Sequence, residues 1–267
     1  MTQPPVCGCC GTRCAPFDSS VVLSHIEVQY FRCPACGLVR TEEPTWLDEA
    51  YSQPIASMDI GLLGRCVHLA NVTEAVVRSM PGTSRCLDWA GGYGVLTRLL
   101  RDRGLNVRHH DPHTTNLFAA GLEGDPGQPW DLITLFEVME HLIDPGKDLA
   151  PLAAVAPVLL FTTELLPEPT PRPGSWWYYT QETGQHVTFY TPAALAALAS
   201  RLGMSLVSDG KSVHAFHRPG ALPRKTSWII RHPRRARALA SALRRARPTG
   251  SLLDEDFEAA RRERGSH

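Results

Sequence analysis

The chain has 267 residues, 43% of them hydrophobic and 20% charged, with 27 basic and 27 acidic side chains. That is an ordinary globular balance, long enough for one full α/β domain with appendages and too short for two large ones. A net charge of zero gives no general attraction to nucleic acid or to acidic substrates.

The opening "MTQPPVCGCC" carries neither a basic nor an apolar leader segment, so a cytoplasmic protein with reduced thiols is expected. Six of the eight cysteines fall in the first 36 residues. Cys7 with Cys10, and Cys33 with Cys36, give the pattern C-x2-C-G twice. In each, the glycine lets the backbone turn so that two thiolates face one ion, and four thiolates suit tetrahedral Zn2+. Cys9 and Cys14 are spare, and either could replace a neighbour in the first pair. A closed four-thiolate site has no open position, so the zinc would be structural and would hold together a head too small for its own core. Between the pairs, "VVLSHIEVQYFRC" alternates as a strand pair would. Cys66 and Cys86 read as core thiols.

From 45 to 80 the pattern is helical with a break at Pro54, and residues 67, 69, 72, 76, 77 and 80 share one apolar face. "PGTS" then interrupts the chain. An alternation follows: strand "SRCLDWA", helix "YGVLTRLLRDRG", strand "NVRHHD", short helix "NLFAAGL", and "WDLITLFEVMEH" as a strand leading into a helix. Next come helix "DPGKDLAPLAAVA", buried strand "VLLFTTELL" and helix "TPAALAALASRLG", which has Thr191 as N-cap, Pro192 in the first turn and Gly203 as stop. "SLVSDGKSVHAFHRP" reads as a hairpin, which makes the last strand antiparallel. Alternating strands and helices predict a doubly wound α/β sheet. The most apolar run, "LAPLAAVAPVLLFTT", is broken by Pro151 and Pro157 and falls short of the roughly 20 residues of a transmembrane segment.

The glycine turn "CLDWAGGYGV" bears on function. A dinucleotide fingerprint needs a third glycine where Thr97 stands. What fits is acid-x-small-x-G-x-G: Asp88, Ala90, Gly92 and Gly94, with Gly91 inside the turn. A carboxylate there would repel a pyrophosphate, which wants free amides and a positive helix end. It would tolerate a ligand with an ammonium group and no phosphate, such as S-adenosylmethionine (SAM). Asp111, followed by Pro112, ends the next strand, where a carboxylate can accept from both ribose hydroxyls.

On these motifs residues 85 to 220 resemble a class I SAM-dependent methyltransferase. "LDWAGGYG" is similar to its first motif, with Ala90 at the usual first glycine, and "RHHDP" to its second-strand acid. "WDLITLFEVMEHLIDP" and "GQHVTFYTPAAL" are similar to later segments of one large subgroup. The cysteine head resembles a zinc-binding domain that precedes some bacterial sugar and natural-product methyltransferases. The resemblance implies a Rossmann-like methyltransferase fold with a seven-stranded, mostly parallel sheet and a zinc-ribbon-like head. It also implies that Phe136 and Glu137 line the cofactor pocket. The expected organisation is a zinc head at 1–44, a helical lid or linker at 45–80, a methyltransferase core at 81–220 and a basic helical tail at 221–267.

For the general base the expectation is His186, which follows the aromatic loop "PGSWWYYTQETGQH", a length that suggests function. His141 is the second candidate and Tyr179 a third. Trp176, Trp177, Tyr178 and Tyr179 could offer an acceptor platform. Glu140 reads as structural. The acceptor would be a small molecule, a sugar or related metabolite. Residues 224–247 hold nine Lys/Arg and no acid, with a helix expected from Pro233. They suit either weak contact with a membrane surface or docking on acidic parts of the same fold. The last ten residues, from Glu258, predict a mobile end. The competing reading, a zinc-headed nucleic-acid-binding or interaction module, has little basic charge in the head to support it.

Overall fold

The structure is a computed structural model that describes residues 3–52, 59–82 and 84–265. The expected Pro54 break lies outside those residues, as do Thr83 of the "PGTS" interruption and the last two positions.

The chain begins with β1 (Ala15–Val22) and β2 (Ile26–Arg32), an antiparallel hairpin whose turn holds Leu23 and Ser24 at positive φ. β3 (Val39–Thr41) pairs with β2, and its other neighbour is β8 (Thr188–Phe189), from nearly 150 residues later. The head's four-stranded sheet, β1-β2-β3-β8, is thus completed by the body. The Trp46 indole donates to the Gly184 carbonyl at 2.8 Å and ties the two further.

After α1 (Leu47–Ala50) and α2 (Leu62–Ser79) comes the main sheet. α2 buries Leu69, Val72, Val76 and Val77, but Val67, expected on the same face, is 48% exposed. The sheet is formed by β4 (Cys86–Trp89), β5 (Val107–His110), β6 (Leu132–Leu135), β7 (Val158–Thr162), β9 (Ser205–Ser208) and β10 (Val213–His217), in the order β5-β4-β6-β7-β10-β9. β4, β5, β6 and β7 run parallel; β10 is antiparallel to both β7 and β9, as the hairpin reading requires.

Among the described residues this sheet has six strands, not the seven expected. The place beside β5 is taken only by an isolated parallel bridge between His109 and Glu123. The following stretch holds Gly124, Pro126, Gly127 and Pro129, which cannot sustain a ladder. The short helix expected at 116–122 is likewise absent, and the chain there runs through turns.

α3 (Val95–Arg101), α6 (Arg224–Arg231) and α7 (Ala236–Ala246) join α2 on one side of the sheet, in a cluster with Leu96, Leu100, Ile229, Ile230 and Ala240. α4 (Pro145–Val155) and α5 (Pro192–Arg201) cover the other side through Leu149, Leu152, Leu195 and Leu198. Thr191 caps α5 with its hydroxyl on the Ala194 amide at 3.0 Å. Cys86 belongs to the core, whereas Cys66 is only half buried on α2.

The basic tail docks on its own fold. α7 packs along α2, and Arg244 pairs with the buried Glu74. The described part of the expected mobile end belongs to α8 (Leu253–Gly265), which is anchored ahead of it where Asp256 accepts from Arg98 at 2.9 Å and Arg101 at 2.7 Å. No helix among the described residues is long and apolar enough to cross a membrane.

Candidate active site

Because β4 to β7 are parallel, their C-terminal ends open on one edge, where this architecture places ligands. Four segments meet there: Ala90–Gly94 after β4, Asp111–Pro112 after β5, Phe136–Glu137 after β6 and Thr163–Glu164 after β7. The expected cofactor residues are therefore gathered on one rim.

The glycine loop is held from below and from the side. Asp88 is 2% exposed, and its carboxylate accepts from Thr134 at 2.9 Å and Thr97 at 3.0 Å. Burial pushes its pKa up while those two hydroxyls pull it back. A Cβ at Gly91 would lie 2.6 Å from an Asp88 oxygen, so the acid sits beneath the turn. Buried in this way, Asp88 supports the loop from beneath, whereas Asp111 at the next strand end is partly exposed. His109, 1% exposed, donates from Nε2 to the Gly92 carbonyl at 2.9 Å.

Asp111 ties the two strand ends together. One oxygen accepts from the Gly92 amide at 2.9 Å; the other accepts from the His113 and Thr114 amides at 2.8 and 2.9 Å. The Gly92 N–H, the kind of amide a pyrophosphate would take, is thereby committed to a carboxylate. A Cβ at Gly92 would meet nothing within 4 Å, so the loop presents an open cradle at that point. The residues present fit an adenosyl ligand without phosphates: a partly exposed acid at the β5 end, an open glycine surface and no free loop cation.

Ala90 adopts φ 55°, in the left-handed region, beside Gly92 at 58° and Gly94 at 84°. That region costs a non-glycine residue roughly 1–2 kcal/mol, partly offset by the lower backbone entropy of unfolded alanine, about 0.5–1 kcal/mol. Ala90→Gly is therefore expected to leave stability unchanged or raise it by about 0.5–1 kcal/mol in a denaturant melt. A loss larger than that would mean the methyl group packs usefully.

Past the ends of β6 and β7 lies a cavity of about 410 Å³ lined by residues that include Arg65 and His68 of α2, Glu137, Thr163, Glu164 and Trp177. Glu137 has positive φ (56°), donates its amide to Thr162 Oγ1 and accepts from that hydroxyl, both at 2.8 Å. Its second oxygen lies 3.4 Å from Arg65 Nε. Glu164 is more available, and burial raises its pKa above the ordinary carboxylate value.

The aromatic loop divides. Trp177 is 70% exposed on the cavity rim. Tyr179 is 1% exposed, donates to the Pro171 carbonyl at 2.8 Å and packs against Tyr30 and Phe189. It is not among the residues that line the cavity. His186 lies behind the cavity wall formed by Tyr178, donating from Nδ1 to the Tyr178 carbonyl at 2.8 Å. Burial takes its pKa down to about 3, which makes it a weaker base than a free imidazole. His141 Nδ1 faces the Gln185 carbonyl at 3.0 Å and the Tyr51 hydroxyl at 2.8 Å, and burial also lowers it. In both imidazoles Nδ1 is engaged by a backbone carbonyl.

The cysteine knuckles repeat one geometry. The Cys7 amide donates to Thr12 and the Cys33 amide to Leu38, while Gly11 and Gly37, both at positive φ, donate back to Cys7 and Cys33. All four sulfurs, of Cys7, Cys10, Cys33 and Cys36, lie within 4.8 Å of one another; two pairs stand at 3.6 and 3.4 Å. Tetrahedral zinc with bonds near 2.3 Å asks for about 3.8 Å between sulfurs, so the quartet fits the ion. Without a cation the thiols compete: Cys7 is held down by Cys14, Cys36 and Cys9, and Cys36, Cys9 and Cys14 are each pushed up chiefly by Cys7. The first knuckle sits on the start of α4, where a Cβ at Gly8 would meet Pro145 at 2.6 Å. The second accepts, at the Cys36 carbonyl, from the Thr191 hydroxyl that caps α5.

Sequence reasoning missed Thr97, His109 and Thr134, whose roles depend on contacts between separate strands. It also missed Glu164, which had only its place after a buried strand to mark it.

The sequence matches the family described as a methyltransferase domain over residues 67–209. No curated protein matches it. Among solved structures it is similar to a calicheamicin-biosynthesis methyltransferase in its SAH-bound form (17% identity, TM-score 0.44, 64% of this chain and 60% of that one). It is also similar to an O-methyltransferase family 2 protein from Planctomyces limnophilus in complex with apigenin (19%, TM-score 0.47, 64% and 65%). A third likeness is to an O-methyltransferase of neocarzinostatin biosynthesis with SAH and 1,4-dihydroxy-2-naphthoic acid (16%, TM-score 0.46, 65% and 61%). The chain thus spans somewhat under two thirds of each of these relatives, and likenesses at this level carry no argument about substrate.

Proposed function

Since the chain belongs to the methyltransferase-domain family, we propose that it is a SAM-dependent methyltransferase that acts on a hydroxyl of a small molecule, a sugar or related natural-product intermediate. The observation that carries this reading is the Asp111 carboxylate, bridging the Gly92 amide and its own turn at the tip of β5. It denies the loop amide to a phosphate and leaves an acid where a ribose can be held.

SAM would supply a methyl group already activated by its sulfonium. The protein's part is to hold the acceptor in line at about 3 Å, exclude water and take a proton. In this reading Gly92 and Gly94 allow close approach of the cofactor, Asp111 holds the ribose, and Phe136 and Glu137 border its adenosyl side. The acceptor occupies the 410 Å³ cavity. Its polar wall of Arg65, His68, Glu137 and Glu164 suits a hydroxylated compound, and the exposed Trp177 offers an indole face to the apolar side of a sugar ring. Residues 81–220 are then the catalytic core, 45–80 supply one cavity wall through α2, 1–44 are a zinc-held head, and 221–267 strap the sheet's far side.

Glu164 is the proton acceptor in this scheme. A base must be ionised, and burial raises its pKa, so turnover should rise with pH along a limb displaced above the ordinary carboxylate range. Glu164→Gln is expected to lower kcat by about 10²–10⁴-fold, remove that limb and leave SAH affinity unchanged. A variant with wild-type turnover would show that the proton goes elsewhere.

A further inference from the structure

We infer that Glu140, His141 and His186 form a second metal site, separate from the cysteine quartet, for one divalent transition ion of the zinc or iron(II) kind.

The fold builds this cluster from two distant segments. Glu140 and His141 lie on the short 3-10 turn Met139–His141 after β6, and His186 ends the aromatic loop just before β8. A hydrogen bond from the Val187 amide to the Glu140 carbonyl, 2.8 Å, joins the two. One carboxylate oxygen of Glu140 and one ring nitrogen of each histidine lie within 4.8 Å of one another. Side-chain rotation can close that spacing around bonds of about 2.0–2.2 Å.

Glu140 is 0% exposed, and neither carboxylate oxygen makes a hydrogen bond of good geometry, although the Tyr178 and Thr163 hydroxyls are close. It forms no ion pair among the described residues. A buried carboxylate left this way is costly unless it takes up a proton or is compensated by a cation.

Both imidazoles make the backbone hydrogen bond that metal-bound histidines commonly make. In each, Nδ1 faces a backbone carbonyl, Gln185 for His141 and Tyr178 for His186. Nδ1 therefore carries the proton and Nε2 the lone pair, the tautomer that backbone partners behind a metal normally fix. Two imidazoles and one carboxylate favour zinc, iron(II), manganese or cobalt over magnesium and calcium, which take oxygen ligands. The cluster stands on the far side of Tyr178 and Thr163, both of which line the acceptor cavity. An ion there would fix the aromatic loop to the end of β6. This inference stands apart from the methyl-transfer reading, since it concerns coordination alone.

The test is cobalt(II) titration of the purified full chain after chelator treatment, followed by absorption spectroscopy and elemental analysis. Uptake by the cysteine quartet gives thiolate-to-cobalt charge-transfer absorption. The proposal expects additional saturable uptake that adds none of that absorption. Glu140→Gln and His186→Asn should each lose this extra uptake and keep the thiolate absorption, which also reports that the head is folded. If cobalt stops binding once the thiolate absorption saturates, or if either variant takes up as much metal as the wild type, the proposal is overturned.

Discussion

On the proposal that the cysteine quartet holds zinc, removing the ion by chelation, or Cys33→Ser with Cys36→Ser, is expected to destabilise the whole chain and not only its first 44 residues. The reason is where the knuckles sit. Gly8 packs on Pro145 and accepts from Arg201 at 2.9 Å, the Cys36 carbonyl accepts from Thr191, and the head sheet takes its last strand from β8. Five of the head cysteines share one core cluster with Leu149, Leu195 and Phe161, and Cys10 packs against it. Structural zinc contributes on the order of 10 kcal/mol in isolated small domains. Even about 3 kcal/mol of that, transmitted through these contacts, would lower Tm by about 6–12 °C in a chain of this size. Calorimetry of the holo and stripped protein measures it. A stripped protein melting at the holo temperature would mean that the head is held by packing alone.

Glu74→Ala is expected to cost about 3–5 kcal/mol, far more than loss of a surface ion pair. Glu74 is 0% exposed on α2, and three arginines converge on it: Arg78 at 2.8 Å, Arg103 at 3.4 Å and Arg244 with two contacts, one of them 2.7 Å. The Arg78 side chain is itself only 4% exposed, so removing the carboxylate strands buried positive charge. Arg244 belongs to α7, so the same substitution should loosen the tail, seen as faster proteolysis beyond residue 224. Arg261→Ala, on an exposed pair with Glu258, should change stability by less than about 1 kcal/mol. Equal effects from the two substitutions would contradict the idea that the tail is clamped to α2 through Glu74.

The sequence carried the parts of this structure that repeat or punctuate. The twin C-x2-C-G knuckles, the Thr191-Pro192 cap and the "SDGK" hairpin turn are local, and each appears where its residues require it. The rim residues Ala90–Gly94 and Asp111 were legible for the same reason. Contacts between distant segments were not. Asp88 looked like a ligand contact because a carboxylate before a glycine loop reads the same whether it faces up or down. Thr97 and Thr134, brought in from α3 and β6, hold it beneath the turn, and neither contact can be read from the motif. Tyr179 looked available because its neighbours in sequence are aromatic; its burial is set by Tyr30 on a strand of the head. That no seventh strand joins the main sheet among the described residues accords with Gly124, Pro126 and Pro129, which break a ladder however apolar the flanks.

Titration calorimetry of the full chain with S-adenosylhomocysteine tests the central claim most directly, because it asks the crevice which nucleotide it accepts. The account predicts saturable binding with a Kd in the micromolar range, weakened by about 1–3 kcal/mol in Asp111→Ala, and no measurable binding of a nicotinamide dinucleotide. Heat from the dinucleotide and none from S-adenosylhomocysteine would contradict it, and so would an Asp111→Ala variant that binds S-adenosylhomocysteine as tightly as the wild type.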